Sequence, residues 1–192
     1  MKMVRAFIAA PLNGPVFDRI VQLQQELAAT LPSIRWVQPR TLHLTLAFLG
    51  DISEESLEKI GASMLSIGDI FTPVDVMVGD LGAFPSLNRP RVVWLGLDGG
   101  SPLLELQTAV ADMLRRLQVP WDDKPFKPHL TLGRCRQPVP NIGQQLARFM
   151  ERQCGPLRIS RLVLYESQLS AQGACHLPRS ETMLTGTPGS RH

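Results

Sequence analysis

Cysteine is scarce in this sequence: three residues, Cys135, Cys154 and Cys175, with no CxxC spacing. An odd, unpaired set excludes a disulfide framework and a cysteine-only zinc site. It fits a reducing compartment, so a cytoplasmic location is the expectation. Long hydrophobic runs are missing as well. No stretch reaches about 18 apolar residues, which leaves nothing to span a membrane as a helix. The opening MKMVRAFIAAPLNGP superficially resembles a signal peptide, but its apolar run, FIAAPL, is broken by Pro11 and Asn13 and reads as a first strand. No GxGxxG follows that strand and no GxxxxGK[ST] occurs, so dinucleotide and P-loop readings lack support. Charge of one sign barely prevails: 20 Lys and Arg against 17 Asp and Glu, net +3. That excess is compatible with a polyanionic substrate and fits an ordinary solvated surface at least as well.

What is present is a chain of 192 residues with 44% hydrophobic and 19% charged content. A chain of that size buries roughly 70% of the surface its unfolded form exposes, enough for one compact unit or two small lobes. Strand and helix patterns alternate along it. Val4–Leu12 reads as a buried strand. Asn13-Gly14-Pro15 then opens a helix carrying Val16, Ile20, Leu23 and Leu27 at helical spacing. Thr41–Leu49 reads as a strand ended by Gly50. Asp51 and Glu54 form a capping box for a second helix with Leu57, Ile60, Met64 and Ile67 on one side. Phe71–Leu81 and Arg91–Leu97 are extended, and Ser101-Pro102 starts a third helix. Ile142, Leu146, Phe149 and Met150 suggest a fourth. Arg158–Leu169 holds a strong strand that Cys175–Thr185 can join. The pattern predicts an α+β protein of two sheet-plus-helix halves. One bilobal domain over 1–185 is expected, with lobes interleaved in sequence and 186–192 a flexible tail.

The tetrad His-Leu-Thr-Leu occurs twice, at His43–Leu46 and His129–Leu132, 86 positions apart. In a strand, residues two apart share a face. Each copy therefore presents one imidazole and one hydroxyl on one side and leucines on the other. With nine threonines in the chain, two of four histidines meeting Thr at this spacing by chance has a probability of roughly 1%. If the two strands lie side by side about a pseudo-twofold axis, His43, His129, Thr45 and Thr131 converge. Two imidazoles with ordinary pKa near about 6.5 suit phosphodiester hydrolysis, one neutral as base and one charged as acid. The hydroxyls suit the phosphoryl oxygens between them. A strained 2′,3′-cyclic phosphate needs no metal for such chemistry.

The two motifs, in the settings His43-Leu-Thr-Leu-Ala-Phe-Leu-Gly and Phe126-Lys-Pro-His129-Leu-Thr-Leu-Gly-Arg, resemble those of the 2H phosphoesterases. They are most similar to the bacterial and archaeal RNA 2′,3′-cyclic phosphodiesterases, historically called 2′-5′ RNA ligases or LigT-like proteins. RAFIAAPL, RPRVVWLGL and LVLYES fit that family's layout, so the resemblance covers nearly the whole chain. It implies a bilobal, pseudo-symmetric fold with a cleft between two antiparallel sheets and helices outside. It implies hydrolysis of 2′,3′-cyclic phosphate RNA ends to 2′-phosphates, with reversible 2′-5′ joining in some members and no cofactor or metal. Carried over, His43 would be the proton donor and His129 the proton acceptor, with Thr45 and Thr131 holding phosphoryl oxygens. The partner would be RNA with cyclic ends or a related nucleotide, acted on by a monomer with no membrane or protein partner.

Arg134 is a further candidate, as a phosphate clamp. Strict alternation puts it on the leucine face, so it reaches the cleft only if the strand bulges or ends near Gly133. Otherwise it is a surface arginine. Phe126 is either a stacking surface for a base or a core residue. Arg40 has no assigned role. His176 lies in a poorly patterned segment without enough other ligands for a metal, and the three tryptophans read as packing or rim residues. Two other readings stay open. One is a 2H enzyme for small cyclic nucleotides or 2′-5′ oligonucleotides; the other is a non-catalytic RNA- or nucleotide-binding module.

Overall fold

The computed structural model of the protein describes residues 2–137, 139, 142–170 and 173–187. Strand β1 (Met3–Pro11) leads through Gly14 into helix α1 (Pro15–Thr30). Pro15 stands where the missing N–H costs nothing. A two-residue strand β2 (Arg35–Trp36) and one turn of 3₁₀ helix (Pro39–Thr41) precede β3 (His43–Ser53). Then come α2 (Glu54–Ile70), β4 (Val74–Phe84), β5 (Val92–Asp98) and α3 (Gly100–Arg116). β6 (His129–Arg134), α4 (Ile142–Ala147), β7 (Gly155–Ile159), β8 (Arg161–Ser170) and β9 (Gly173–Met183) complete the described elements. Gly186 donates its N–H to the Phe71 carbonyl at 3.0 Å. The rest of the expected tail, 188–192, lies outside the described residues.

The strands form one strongly curled antiparallel sheet in the order β7-β4-β5-β6-β3-β1-β8-β9, with β2 beside β6. Its two wings are the two expected sheets. They meet at β3 and β6 through a single ladder pair, Leu44 with Leu130. Chain order interleaves the wings, because β8 and β9 return to the β1 side after β4 to β7 have built the other. One face is covered by helices. Leu44, Leu46, Leu130 and Leu132 point there and are at most 3% exposed. The predicted stripes of α1 and α2 are buried against the same core: Val16, Ile20, Leu23 and Leu27, then Leu57, Ile60, Met64 and Ile67. Burying each such side chain is worth about 1.5–3 kcal/mol. The opposite face is open and holds the histidines.

Two local expectations are corrected. Gly50 does not end β3. It sits at φ +66 inside the strand, a conformation that suits glycine, and pairing with β1 continues to Ser53. The capping box is not Asp51 with Glu54. Ser53 caps α2, its Oγ accepting from the Ser56 N–H at 3.1 Å, while Glu54 forms ion pairs with Lys2 and Arg179.

Helix α2 lies close on β9 because glycine faces the contact. A Cβ built on Gly68 would overlap the Thr182 hydroxyl and the Met183 carbonyl oxygen. Backbone cannot yield there as a flexible side chain would. Gly68→Ala is expected to lower stability by about 1–3 kcal/mol, seen as a lower urea midpoint at unchanged m value.

Three bulges decide what reaches the open face. On β3, Ile8 pairs with Ala47 but Ala9 with Thr45, so Leu46 is extra. Phe7 pairs with Phe48 but Ala6 with Gly50, so Leu49 is extra. On β6, Val93 pairs with Gly133 but Trp94 with Thr131, so Leu132 is extra. Each extra residue reverses the alternation beyond it. The bulges at Leu46 and Leu132 fall at the same place in the two tetrads, which extends the sequence repeat into the backbone.

Candidate active site

The open face forms a cleft of about 950 Å³. That is within the range of small-molecule sites. His43, Thr45, His129 and Thr131 all line it, as the shared-face argument requires, and so does Arg134. Arg134 arrives by the route alternation alone would forbid: the extra Leu132 turns it from the leucine face to the histidine face. Neither threonine hydroxyl, nor the Arg134 guanidinium, makes a hydrogen bond or ion pair with another described residue. All three are thus free to meet a ligand.

The imidazoles are held alike. His43 Nδ1 lies 2.7 Å from the Thr41 carbonyl oxygen, and His129 Nδ1 lies 2.6 Å from the Lys127 carbonyl oxygen. A carbonyl only accepts, so Nδ1 carries the proton in both rings and Nε2 keeps the reactive lone pair. Each acceptor is two residues upstream, at the last turn of chain before the strand begins. The 3₁₀ turn at Pro39–Thr41 fixes the first, and the loop ending in Pro128 fixes the second.

The walls are aromatic. Phe7 stacks on His43 with ring centroids 4.8 Å apart. Phe84 meets His129 edge-on at 5.0 Å. Burial is the main force lowering both imidazole pKa values, opposed by the carbonyl hydrogen bonds. His43 falls to about 4, with His176, His129 and Arg134 adding like-charge repulsion to burial. His129 is lowered too, by burial and then by Arg134. His43 is therefore neutral at pH 7, and His129 is shifted in the same direction. An anion between them would reverse the balance by favouring the charged form.

The same shifts couple stability to pH. A histidine whose folded pKa lies below its unfolded value takes up its proton more readily when unfolded, so acid favours unfolding. Stability is expected to hold above about pH 6.5 and to fall as pH drops from 6.5 toward 4. His43 accounts for on the order of 2 kcal/mol of that loss. Denaturation midpoints measured across that window should slope less in His43→Gln than in wild type.

The cleft is electropositive. Arg5, Arg35 and Arg134 line it, and none pairs with a carboxylate among the described residues. Asp122, the one acidic side chain on its lining, is 2.9 Å from Lys124. Among the described residues no cluster of three or more His, Cys, Asp or Glu could hold a metal ion.

Several site residues were not legible in the sequence. His176 lines the cleft and meets His43 edge-on at 5.3 Å, because β9 pairs it with Ser167 of β8. Phe48 also lines the cleft and stays 50% exposed. It holds the position in the first motif that Arg134 holds in the second, a correspondence visible in HLTLAF and HLTLGR. Trp36 and Trp121 line the cleft and pack against the core. Phe126 packs against the hydrophobic core. Arg40 points out and donates to Gln38 at 3.0 Å.

The chain is similar to known proteins. The family model described as LigT like Phosphoesterase matches residues 11–94 and 97–176, which contain both tetrads. A protein of Archaeoglobus fulgidus named RNA 2′,3′-cyclic phosphodiesterase is 29% identical over 170 residues, covering 88% of this chain and 94% of its own. One of the same name from Thermus thermophilus is 34% identical over 147 residues, 72% of each chain. Among solved structures, the protein TT0787 of Thermus thermophilus superposes with a TM-score of 0.83 at 28% identity, over 95% of this chain and 98% of that one.

Proposed function

This chain belongs to the LigT-like phosphoesterase family, and on that premise we propose that it hydrolyses RNA 2′,3′-cyclic phosphate ends to 2′-phosphomonoesters without a metal ion. The protein is a hydrolase, and its curated relatives carry the name of this activity. The observation that carries the reading is the matched pair of imidazoles. Both have Nδ1 committed to a backbone carbonyl and both line one cleft with Thr45, Thr131 and Arg134.

The chemistry follows from that arrangement. A cyclic phosphate monoanion enters the positive cleft, and its charge raises the affinity of the neighbouring imidazoles for a proton. One ring then holds a second proton. His129 Nε2 accepts a proton from water as the water oxygen attacks phosphorus. His43 Nε2–H donates a proton to the 3′ oxygen as its bond to phosphorus breaks. The products are a 2′-phosphate and a free 3′ hydroxyl. Thr45, Thr131 and Arg134 meet the non-bridging oxygens, whose charge and geometry change in the transition state. With a ribose 5′ hydroxyl in place of the attacking water, the same forward step supports 2′-5′ joining, the 3′ oxygen leaving with the proton from His43; run backwards, it cleaves that linkage.

The test is an oligoribonucleotide ending in a 2′,3′-cyclic phosphate, incubated with the protein in EDTA. Conversion to the 2′-phosphate isomer is expected. Cyclic ends that persist at the rate of a no-protein control would end the proposal.

A further inference from the structure

β2 is only two residues long, yet it places like charges opposite one another. Arg35 and Arg134 are antiparallel ladder partners, next to the Trp36–Gly133 pair. Directly opposed residues share a face with Cβ atoms about 4.5–5.5 Å apart, and like charges there are destabilising. No carboxylate among the described residues pairs with either guanidinium, and both line the cleft. The strand itself is well anchored: Val37 N–H donates to the Leu132 carbonyl at 2.8 Å, and Gln24 Nε2 donates to both the Val37 and Leu132 carbonyls. The pair is thus held rigidly in a repulsive arrangement that an anion would relieve.

The pseudo-symmetry shows that this is a feature of one end only. β3 and β6 diverge in opposite directions from the Leu44–Leu130 pair, so Phe48 and Arg134 stand at opposite ends of the cleft. At the Phe48 end the neighbours include Pro120 and Trp121, where Asp122 N–H ties that loop to the Phe48 carbonyl at 2.9 Å. The Phe48 end carries a single guanidinium, Arg5, two residues along β1 from the Phe7 that pairs with Phe48; the other end carries the paired guanidinia beside Trp36. Arg134 is near enough to both histidines to affect their protonation. Arg35 stands opposite Arg134 on the neighbouring strand.

We propose that Arg35 binds a second phosphate, the one joining the terminal nucleoside to its 5′ neighbour, while Arg134 attends the reacting phosphate. The cleft is then built for an RNA end rather than a mononucleotide, with the backbone leaving past β2. The inference rests on the proposed cyclic-phosphate chemistry and adds the substrate's minimum length and direction.

The experiment compares a dinucleotide ending in a 2′,3′-cyclic phosphate with the corresponding cyclic mononucleotide, which lacks the second phosphate. Wild type is expected to favour the dinucleotide in kcat/KM. In Arg35→Gln that ratio should fall by about tenfold or more, through KM, as for loss of a charged hydrogen bond. Arg35→Lys should keep most of it. The slope of log(kcat/KM) against log salt for the dinucleotide should become shallower by about 0.7 in Arg35→Gln. An unchanged ratio, or an equal drop on both substrates, would overturn the proposal. If wild type turned over neither substrate, the catalytic reading would fail by itself. Calorimetric binding of a dinucleotide 2′-phosphate against a nucleoside 2′-phosphate would then decide the subsite. Equal weakening of both in Arg35→Gln refutes it, and selective weakening of the dinucleotide supports it.

Discussion

Alanine in place of either His43 or His129 is expected to lower kcat on cyclic-phosphate RNA by about 10²–10⁴-fold, with the fold intact. In the proposed mechanism each imidazole moves a different proton in the same step. Losing one leaves water to do its work, a far weaker acid and base than imidazole. The two substitutions together should cost far less than the product of the singles, because the residues act as a unit. Steady-state kinetics on wild type, both single variants and the double variant would check this, with circular dichroism confirming folded protein. The rate profile of wild type should be bell-shaped in pH, and each variant should lose one limb. A variant that keeps wild-type kcat would remove its histidine from the mechanism. His43→Ala should also be more resistant to acid than wild type, since it removes a buried ring that protonates on unfolding.

Arg134→Met is expected to lower kcat/KM by about 10²–10³-fold, with Arg134→Lys recovering part of the loss. The guanidinium is unpaired among the described residues, lines the cleft and lies within electrostatic reach of both imidazoles. Its removal takes away a positive charge and a fork of donors that can grip two phosphoryl oxygens. Methionine keeps much of the length and apolar stem, so packing changes little. Relieved of the like charge, His129 should titrate higher in this variant, and an NMR titration of its ring would read that directly. Unchanged kinetics would return Arg134 to the role of a surface arginine.

The reach of sequence reasoning here has a clear physical boundary. The two His/Thr pairs were legible because alternation in a strand is rigid over three residues: His43 must face as Thr45 does, and His129 as Thr131 does. The helix stripes were legible for a similar reason, since Ile20, Leu23 and Leu27 repeat at one period. Arg134 lies past a bulge, and no period survives a bulge. Its arrival in the cleft depends on the extra residue at Leu132, which alternation treats as one more leucine. The same event at Leu46 brings Phe48 round. Gly50 looked like a strand terminator because glycine usually breaks strands, yet positive φ within a continuing ladder is another use of the same freedom. That misplacement carried the helix cap to Asp51 instead of Ser53. Arg35 sits in a strand too short to have a pattern, and His176 reaches the cleft only through pairing of β9 with β8. Both are products of tertiary contact. The charge state was not legible either: burial lowers both imidazole pKa values, that of His43 to about 4, and burial is set by tertiary packing.

Two imidazoles flanking one phosphorus atom are the central requirement, and a co-crystal with a nucleoside 2′,3′-cyclic vanadate tests it most directly. The five-coordinate vanadium should lie between β3 and β6, with His43 Nε2 and His129 Nε2 each about 2.6–3.2 Å from opposite apical oxygens. A vanadate held by one histidine alone, or bound elsewhere in the protein, would contradict the two-histidine mechanism.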